Sequence, residues 1–259
     1  MDLKKAVIAV REKKPLIHHM TNLVVTNLTA NFTLAMGALP IMAYDQSEVE
    51  EICGSADVLL LNIGTITEKT LESMLIAGEH ARALGKRIIL DPVGAAASGF
   101  RSRASFEILE RMKPDVVKGN FAEIAALAGE NAEMRGVESC VGTIEKSIEI
   151  AERLSKARGC VAAVSGREDV VCQGEKRARV WGGNEMLKSI TGSGCMVSTA
   201  IACFLGVENP FEAAIHGFEI MKLCSEIRSP DGPASFQVSL LDCVYRFPDA
   251  ETGRRSEIL

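Results

Sequence analysis

The sequence predicts a single α/β domain over residues 1–259, with helices covering both faces of a mostly parallel sheet in three layers. Three observations carry this. Short, mainly apolar runs at 57–64, 87–90, 115–118 and 160–164 alternate with longer helical stretches, the pattern that builds parallel sheets buried on both faces. Each run stops at small or polar residues, in Asn62-Ile63-Gly64, Asp91-Pro92-Val93-Gly94, Lys118-Gly119-Asn120 and Ser165-Gly166. No linker, tandem repeat or low-complexity segment divides the 259 residues, a length that one large α/β domain fills.

Taken in order, residues 3–13 alternate apolar and basic side chains at helical spacing, and Pro15 then opens an extended run at 16–20. Thr21-Asn22 reads as a cap for an apolar helix over 23–36 that Gly37 ends. Thr26, Asn27, Thr29, Asn31 and Thr33 lie within that helix, which suits a ligand or subunit contact and a hydrogen-bonded core equally. Residues 39–43 form a short strand, and Ser47-Glu48-Val49-Glu50 reads as a capping box for a helix to Cys53. Helices follow at 68–84, 102–112, 120–128 and 144–156, and antiparallel strands at 170–173 and 178–181. The last quarter is helical near 194–205, 210–227 and 235–246, and 249–259 reads as a loose tail.

A net charge of −5 without any Lys/Arg-rich segment excludes a nucleic-acid partner. The N-terminus lacks a signal-peptide core, and no apolar run approaches the roughly 18 residues of a membrane span. The expectation is a soluble cytoplasmic protein. The eight cysteines form no Cys-x-x-Cys pair and keep no metal-ligand spacing with the four histidines, so buried free thiols are expected.

The chemistry is expected along the rim formed by the strand carboxyl ends. Thr191-Gly192-Ser193-Gly194-Cys195 runs straight into an apolar helix. A helix N-terminus leaves N–H groups unpaired and carries about half a positive charge, and glycines at 192 and 194 let an anion approach them. By the same field Cys195 is expected to have a lowered thiol pKa and to accept a proton. The plain alternative is a turn followed by a small buried cysteine. Asp91 and Glu123 are placed to hold magnesium through one or two carboxylates plus water; Glu123 taken alone is equally an ordinary acid at a helix start. There is no Gly-x-x-x-x-Gly-Lys-Ser/Thr loop, no kinase-type His-Arg-Asp loop and no Gly-x-Ser-x-Gly elbow, and His18, His19, His80 and His216 carry no signature tying one of them to Cys195. An anion-binding helix with two carboxylates favours phosphoryl transfer from a nucleotide.

Several ordered segments resemble hydroxyethylthiazole kinases: residues 15–27, Ala30-Asn31, 37–42, Asn62-Ile63-Gly64-Thr65, Asp91-Pro92-Val93-Gly94, 118–124, Thr191-Gly192-Ser193-Gly194-Cys195 and 232–242. The resemblance spans nearly the whole chain. It implies a ribokinase-like fold that transfers the γ-phosphate of ATP to the primary hydroxyl of 4-methyl-5-(2-hydroxyethyl)thiazole in thiamine salvage. It also implies Mg2+ and a homotrimer that holds the thiazole between subunits. By position, Asn22, Val24, Met42, Gly64 and Gly192 match thiazole-pocket residues, Met42 being core filling if read alone. Asp91 and Glu123 match the magnesium-linked acids, and Lys118, Asn120 and Ser165 lie on the nucleotide side. Gly192, Ser193, Gly194 and Cys195 match the catalytic loop, with Cys195 where related sugar kinases have an aspartate. Lys118 replaces the family's usual arginine, keeping a point charge but losing the planar fork. Other ribokinase-like reactions, on a hydroxymethylpyrimidine or a hydrated NAD(P)H, go with an aspartate at the place of Cys195. A non-catalytic nucleotide sensor would not need Asp91 and Glu123 together.

Overall fold

In the computed structural model, which describes residues 2–129, 143–226, 231–247 and 255–259, one nine-stranded sheet organises the chain. The strands are β1 (Leu16–Met20), β2 (Leu39–Ile41), β3 (Val58–Asn62), β4 (Arg87–Asp91), β5 (Val116–Asn120), β6 (Val161–Ser165), β7 (Asp169–Gln173), β8 (Lys176–Val180) and β9 (Ser256–Ile258), in spatial order β2-β1-β3-β4-β5-β6-β7-β8-β9. The first six are parallel, and β7, β8 and β9 continue the sheet antiparallel.

Period-two alternation decides which face each side chain feeds. On β3, Val58 and Leu60 enter one core while Leu59 and Leu61 enter the other. The first core is closed by α1 (Leu3–Lys13), α2 (Thr26–Met36), α8 (Ser193–Leu205), α9 (Pro210–Ser225) and α10 (Pro233–Arg246). The second is closed by α3 (Val49–Ser55), α4 (Glu68–Ala83), α5 (Gly99–Met112), α6 (Phe121–Leu127) and α7 (Ile144–Arg158). These are the three layers expected from the alternation of runs.

Three local expectations are corrected. Helix α2 starts at Thr26, and Thr21-Asn22 does not cap it: its N-cap is Val25, with no side-chain bond. The Asn22 carboxamide is committed elsewhere, accepting from the Val24 N–H at 3.1 Å and donating to Asn62 at 2.8 Å. The capping box at 47–50 does not form either. Asp45 supplies the turn instead, accepting from the Ser47 N–H at 3.0 Å and the Ser47 hydroxyl at 2.8 Å. The loose tail expected at 249–259 is ordered at its end, because Ser256–Ile258 pairs antiparallel with β8 and hides part of that sheet edge; residues 248–254 lie outside the described residues.

Candidate active site

Sheet register builds the centre of the site. Asn62, the last residue of β3, is the lateral partner of Asp91, the last residue of β4. Asn62 Nδ2 donates to Asp91 Oδ2 at 2.9 Å and to Cys195 Sγ at 3.2 Å, while Asn62 Oδ1 accepts from Asn22 Nδ2 at 2.8 Å and from the Gly64 N–H at 3.0 Å. Ser198, one turn into α8, donates to Asp91 Oδ2 at 2.7 Å. One carboxamide thus ties two strand ends, the β1–α2 turn and the start of α8 together. Gly64 is required by this closeness, since a Cβ there would lie 2.7 Å from Asn22 Nδ2.

The loop ahead of α8 turns tightly at a glycine. Gly192 caps α8 at φ +80°, a left-handed conformation natural to glycine, and a Cβ there would lie 2.6 Å from Val25 Cγ1. The first N–H groups of α8 have no partner within the helix. Lys118, 3 % exposed, donates through Nζ to the Gly194 carbonyl at 2.9 Å, bringing a cation from β5 against that terminus.

Glu123 does two jobs. It completes a capping box with Asn120, accepting from the Asn120 N–H at 2.8 Å through Oε2, and it accepts from the Gly94 N–H at 2.8 Å through Oε1. The turn after β4 is thereby fastened to the start of α6. Asp91 is fully buried, and burial pushes its carboxyl above the usual range, opposed by the Lys118 charge and reinforced by that of Glu123. Asp91, Glu123 and Lys118 therefore share one electrostatic site.

The expected activation of Cys195 is overturned. Burial and then the Asp91 charge push its thiol up, and the Lys118 charge with the amides of Asn62 and Asn22 only partly oppose them. A helix terminus does not offset desolvation beside a carboxylate, so the thiol is neutral at neutral pH.

Of the other sequence-derived residues, Ser165 is the lateral partner of Asn120 and donates to the Gly119 carbonyl at 3.3 Å, so both border the Lys118 strand end. Ser193 opens the first turn of α8. The side chains of Val24, 63 % exposed, and Met42, half-buried past β2, lie outside the hydrogen-bonded network. In α2, Thr29 and Thr33 are core residues whose hydroxyls bond back onto the carbonyls of Val25 and Thr29, while Asn27, Asn31 and Leu34 face outward. Sequence reading did not single out Asn62, Ser198 or Arg101 as site residues. Arg101 bridges the Val93 carbonyl, at 2.7 Å, and the Gly64 carbonyl. A polar residue closing a wholly apolar strand was the available signal for Asn62; for Ser198 and Arg101 there was none. A pocket of about 690 Å³ near the opposite strand ends is lined by Lys13, Asp57, Arg87 and Glu208, and these groups already engage one another, Asp115, His216 or backbone.

The profile of the hydroxyethylthiazole kinase family matches residues 7–249. A hydroxyethylthiazole kinase of Thermoanaerobacter pseudethanolicus is 45% identical over 249 residues, covering 94% of each chain. The structure of a hydroxyethylthiazole kinase protein from Pyrococcus horikoshii superposes with a TM-score of 0.87 at 38% identity, covering 99% of this chain and 98% of the other. An ADP complex of Bacillus subtilis pyridoxal kinase superposes at 0.60 with 16% identity over 79% and 88% of the two chains, a likeness of fold alone. The fold is ribokinase-like, as the sequence resemblance implied.

Proposed function

The chain belongs to the hydroxyethylthiazole kinase family, and from that premise we propose how its residues divide the work. The enzyme phosphorylates the thiazole alcohol 4-methyl-5-(2-hydroxyethyl)thiazole, with ATP as donor. The observation that carries the arrangement is the convergence of Asn62, Asp91, Ser198 and Lys118 on the N-terminus of α8.

Phosphoryl transfer through a loose transition state needs position and charge stabilisation more than covalent help. The N–H groups from Gly192 through Cys195 receive the charge of the transferred group, and Lys118 adds a fixed cation beside them. Lys118, Asn120 and Ser165 form the nucleotide side. Asn22, Val24, Met42, Gly64 and Gly192 form the thiazole side, a flat apolar ring needing few polar contacts. Cys195 is assigned to the alcohol's proton, with a contribution at the low end of the roughly 10²–10⁴-fold range of general bases because its thiol rests neutral.

Asp91 and Glu123 fit Mg2+ by their donor chemistry: both are hard oxygen ligands, carried at the end of β4 and just past the neighbouring β5, close enough for the Glu123 charge to be felt at Asp91. When bound there, magnesium neutralises charge on the donor phosphates. We further assign a homotrimer. Leu23, 80 % exposed, and Val24, 63 % exposed, directly follow Asn22 and leave apolar side chains next to the thiazole side that a neighbouring subunit would cover. A cytoplasmic location supplies the ATP. Among the described residues no helix is long and apolar enough to cross a membrane.

An ADP-release assay with the thiazole alcohol, with a hydroxymethylpyrimidine and without acceptor tests the reaction. ADP should form with the thiazole alcohol alone; equal release without acceptor, or preference for the pyrimidine, overturns it. Sedimentation should give three chains per particle, and a fully active monomer overturns the intersubunit pocket.

A further inference from the structure

Lys222 lies on α9, yet it is buried and ends at the turn that follows β6. An ammonium has three N–H donors. Here three oxygens meet it: the Gly166 carbonyl at 3.2 Å, the Arg167 carbonyl at 3.1 Å and Asp169 Oδ2 at 3.3 Å. Asp169, itself 3 % exposed, uses Oδ1 to accept from the Gly166 N–H at 2.9 Å. A single buried ion pair therefore fastens both sides of a turn whose residues 166–168 are exposed. The same side chain also braces the loop after β8, where a Cβ on Gly183 would lie 2.8 Å from Lys222 Cδ.

In a trans peptide the C=O and N–H point in opposite directions. Carbonyls of Gly166 and Arg167 drawn inward onto the ammonium leave the N–H groups of Arg167 and Glu168 directed outward, beside Ser165. Fixed outward donors next to a serine hydroxyl are the equipment of an anion or ribose contact.

We propose that Lys222 is a positioning residue for the nucleotide: its ammonium, shared among Gly166, Arg167 and Asp169, sets the turn that presents Ser165 and the Arg167 and Glu168 N–H groups to ATP. The proposal rests on the assignment of Ser165 to the nucleotide side. A pair that served only to tie α9 to the sheet would alter stability and every kinetic constant together. A positioning role separates the two substrates.

Two measurements on the full-length enzyme decide the matter. In the first, hydrogen exchange of the wild-type turn is followed with and without ADP, and the amides of residues 166–169 should be protected. In the second, Lys222→Met combined with Asp169→Asn removes both charges while keeping their volume, so that no buried charge is stranded; Lys222→Met alone leaves the Asp169 carboxylate unpaired and serves as the stability control. The double variant should raise the KM for ATP and the Kd for ADP about tenfold, with the KM for the thiazole alcohol unchanged within about twofold. Absence of ADP protection in the wild type overturns the nucleotide assignment and the proposal with it. Protection in the wild type with unaltered ADP affinity in the double variant overturns the role of Lys222 alone, as does an equal rise in both KM values.

Discussion

His19 makes this enzyme acid-labile in a way that can be calculated. It lies on β1, between β2 and β3, fully buried. The Thr33 hydroxyl donates to the Thr29 carbonyl at 2.8 Å, so at 3.0 Å it accepts from His19 Nε2, and the ring is the Nε2–H tautomer. Among the described residues Nδ1 finds no donor. Burial, and then the charge on His18, push the imidazole from 6.5 down to about 3. Between these values the unfolded chain binds the proton and the folded one does not, so stability falls as the pH drops below 6.5 and is level above it. One pKa unit is about 1.4 kcal/mol, so the loss from His19 is about 2 kcal/mol at pH 5 and about 4 kcal/mol near pH 3. His19→Phe removes the titration and leaves the Thr33 hydroxyl still bonded to its carbonyl. Urea unfolding of both proteins at equal concentration, at pH 7.5 and pH 5.0, isolates the effect, because packing changes are common to the two pH values. The wild type should lose about 2 kcal/mol more than the variant. An identical loss in both would refute a neutral, donor-free imidazole at this position.

Substitutions at three positions test the site itself. Gly64→Ala puts a methyl group 2.7 Å from Asn22 Nδ2, so the KM for the thiazole alcohol should rise about tenfold or more, at 1.4 kcal/mol per decade, with an unchanged circular dichroism spectrum; normal kinetics would detach Asn22 from the pocket. Cys195→Ala should lower kcat by no more than about 10²-fold with little change in KM, and Cys195→Asp should retain turnover. Wild-type kcat in the Ala variant would end the proton assignment while leaving the anion loop in place. Glu123→Gln keeps acceptors for the Gly94 and Asn120 N–H groups but removes the charge, so half-saturating Mg2+ should rise about tenfold; an unmoved Mg2+ titration would assign the metal elsewhere.

The main elements were legible because they rest on local signals. Gly37 ends α2 at positive φ, and the buried run 58–62 makes a strand covered on both faces. Asn120 caps α6 where the sequence places it, and Glu123 three residues on completes the box. Where a short polar residue had a distant competitor, the local reading failed. Asn22 deserted its helix for Asn62, forty residues on, and the last residues found a strand partner in β8 that no nearby signal announces.

By itself, the sequence determined the layered α/β class, the family and the residues gathered at the strand ends, because periodicity, turn chemistry and ordered motifs are properties of neighbours along the chain. Only the tertiary structure decided how those residues act on one another. The parallel register set Asn62 beside Asp91, α8 brought Cys195 against that carboxylate, and burial raised a thiol that the helix terminus alone would have lowered. Desolvation and charge coupling depend on everything within a few ångströms, and which strand lies next to which is settled by folding.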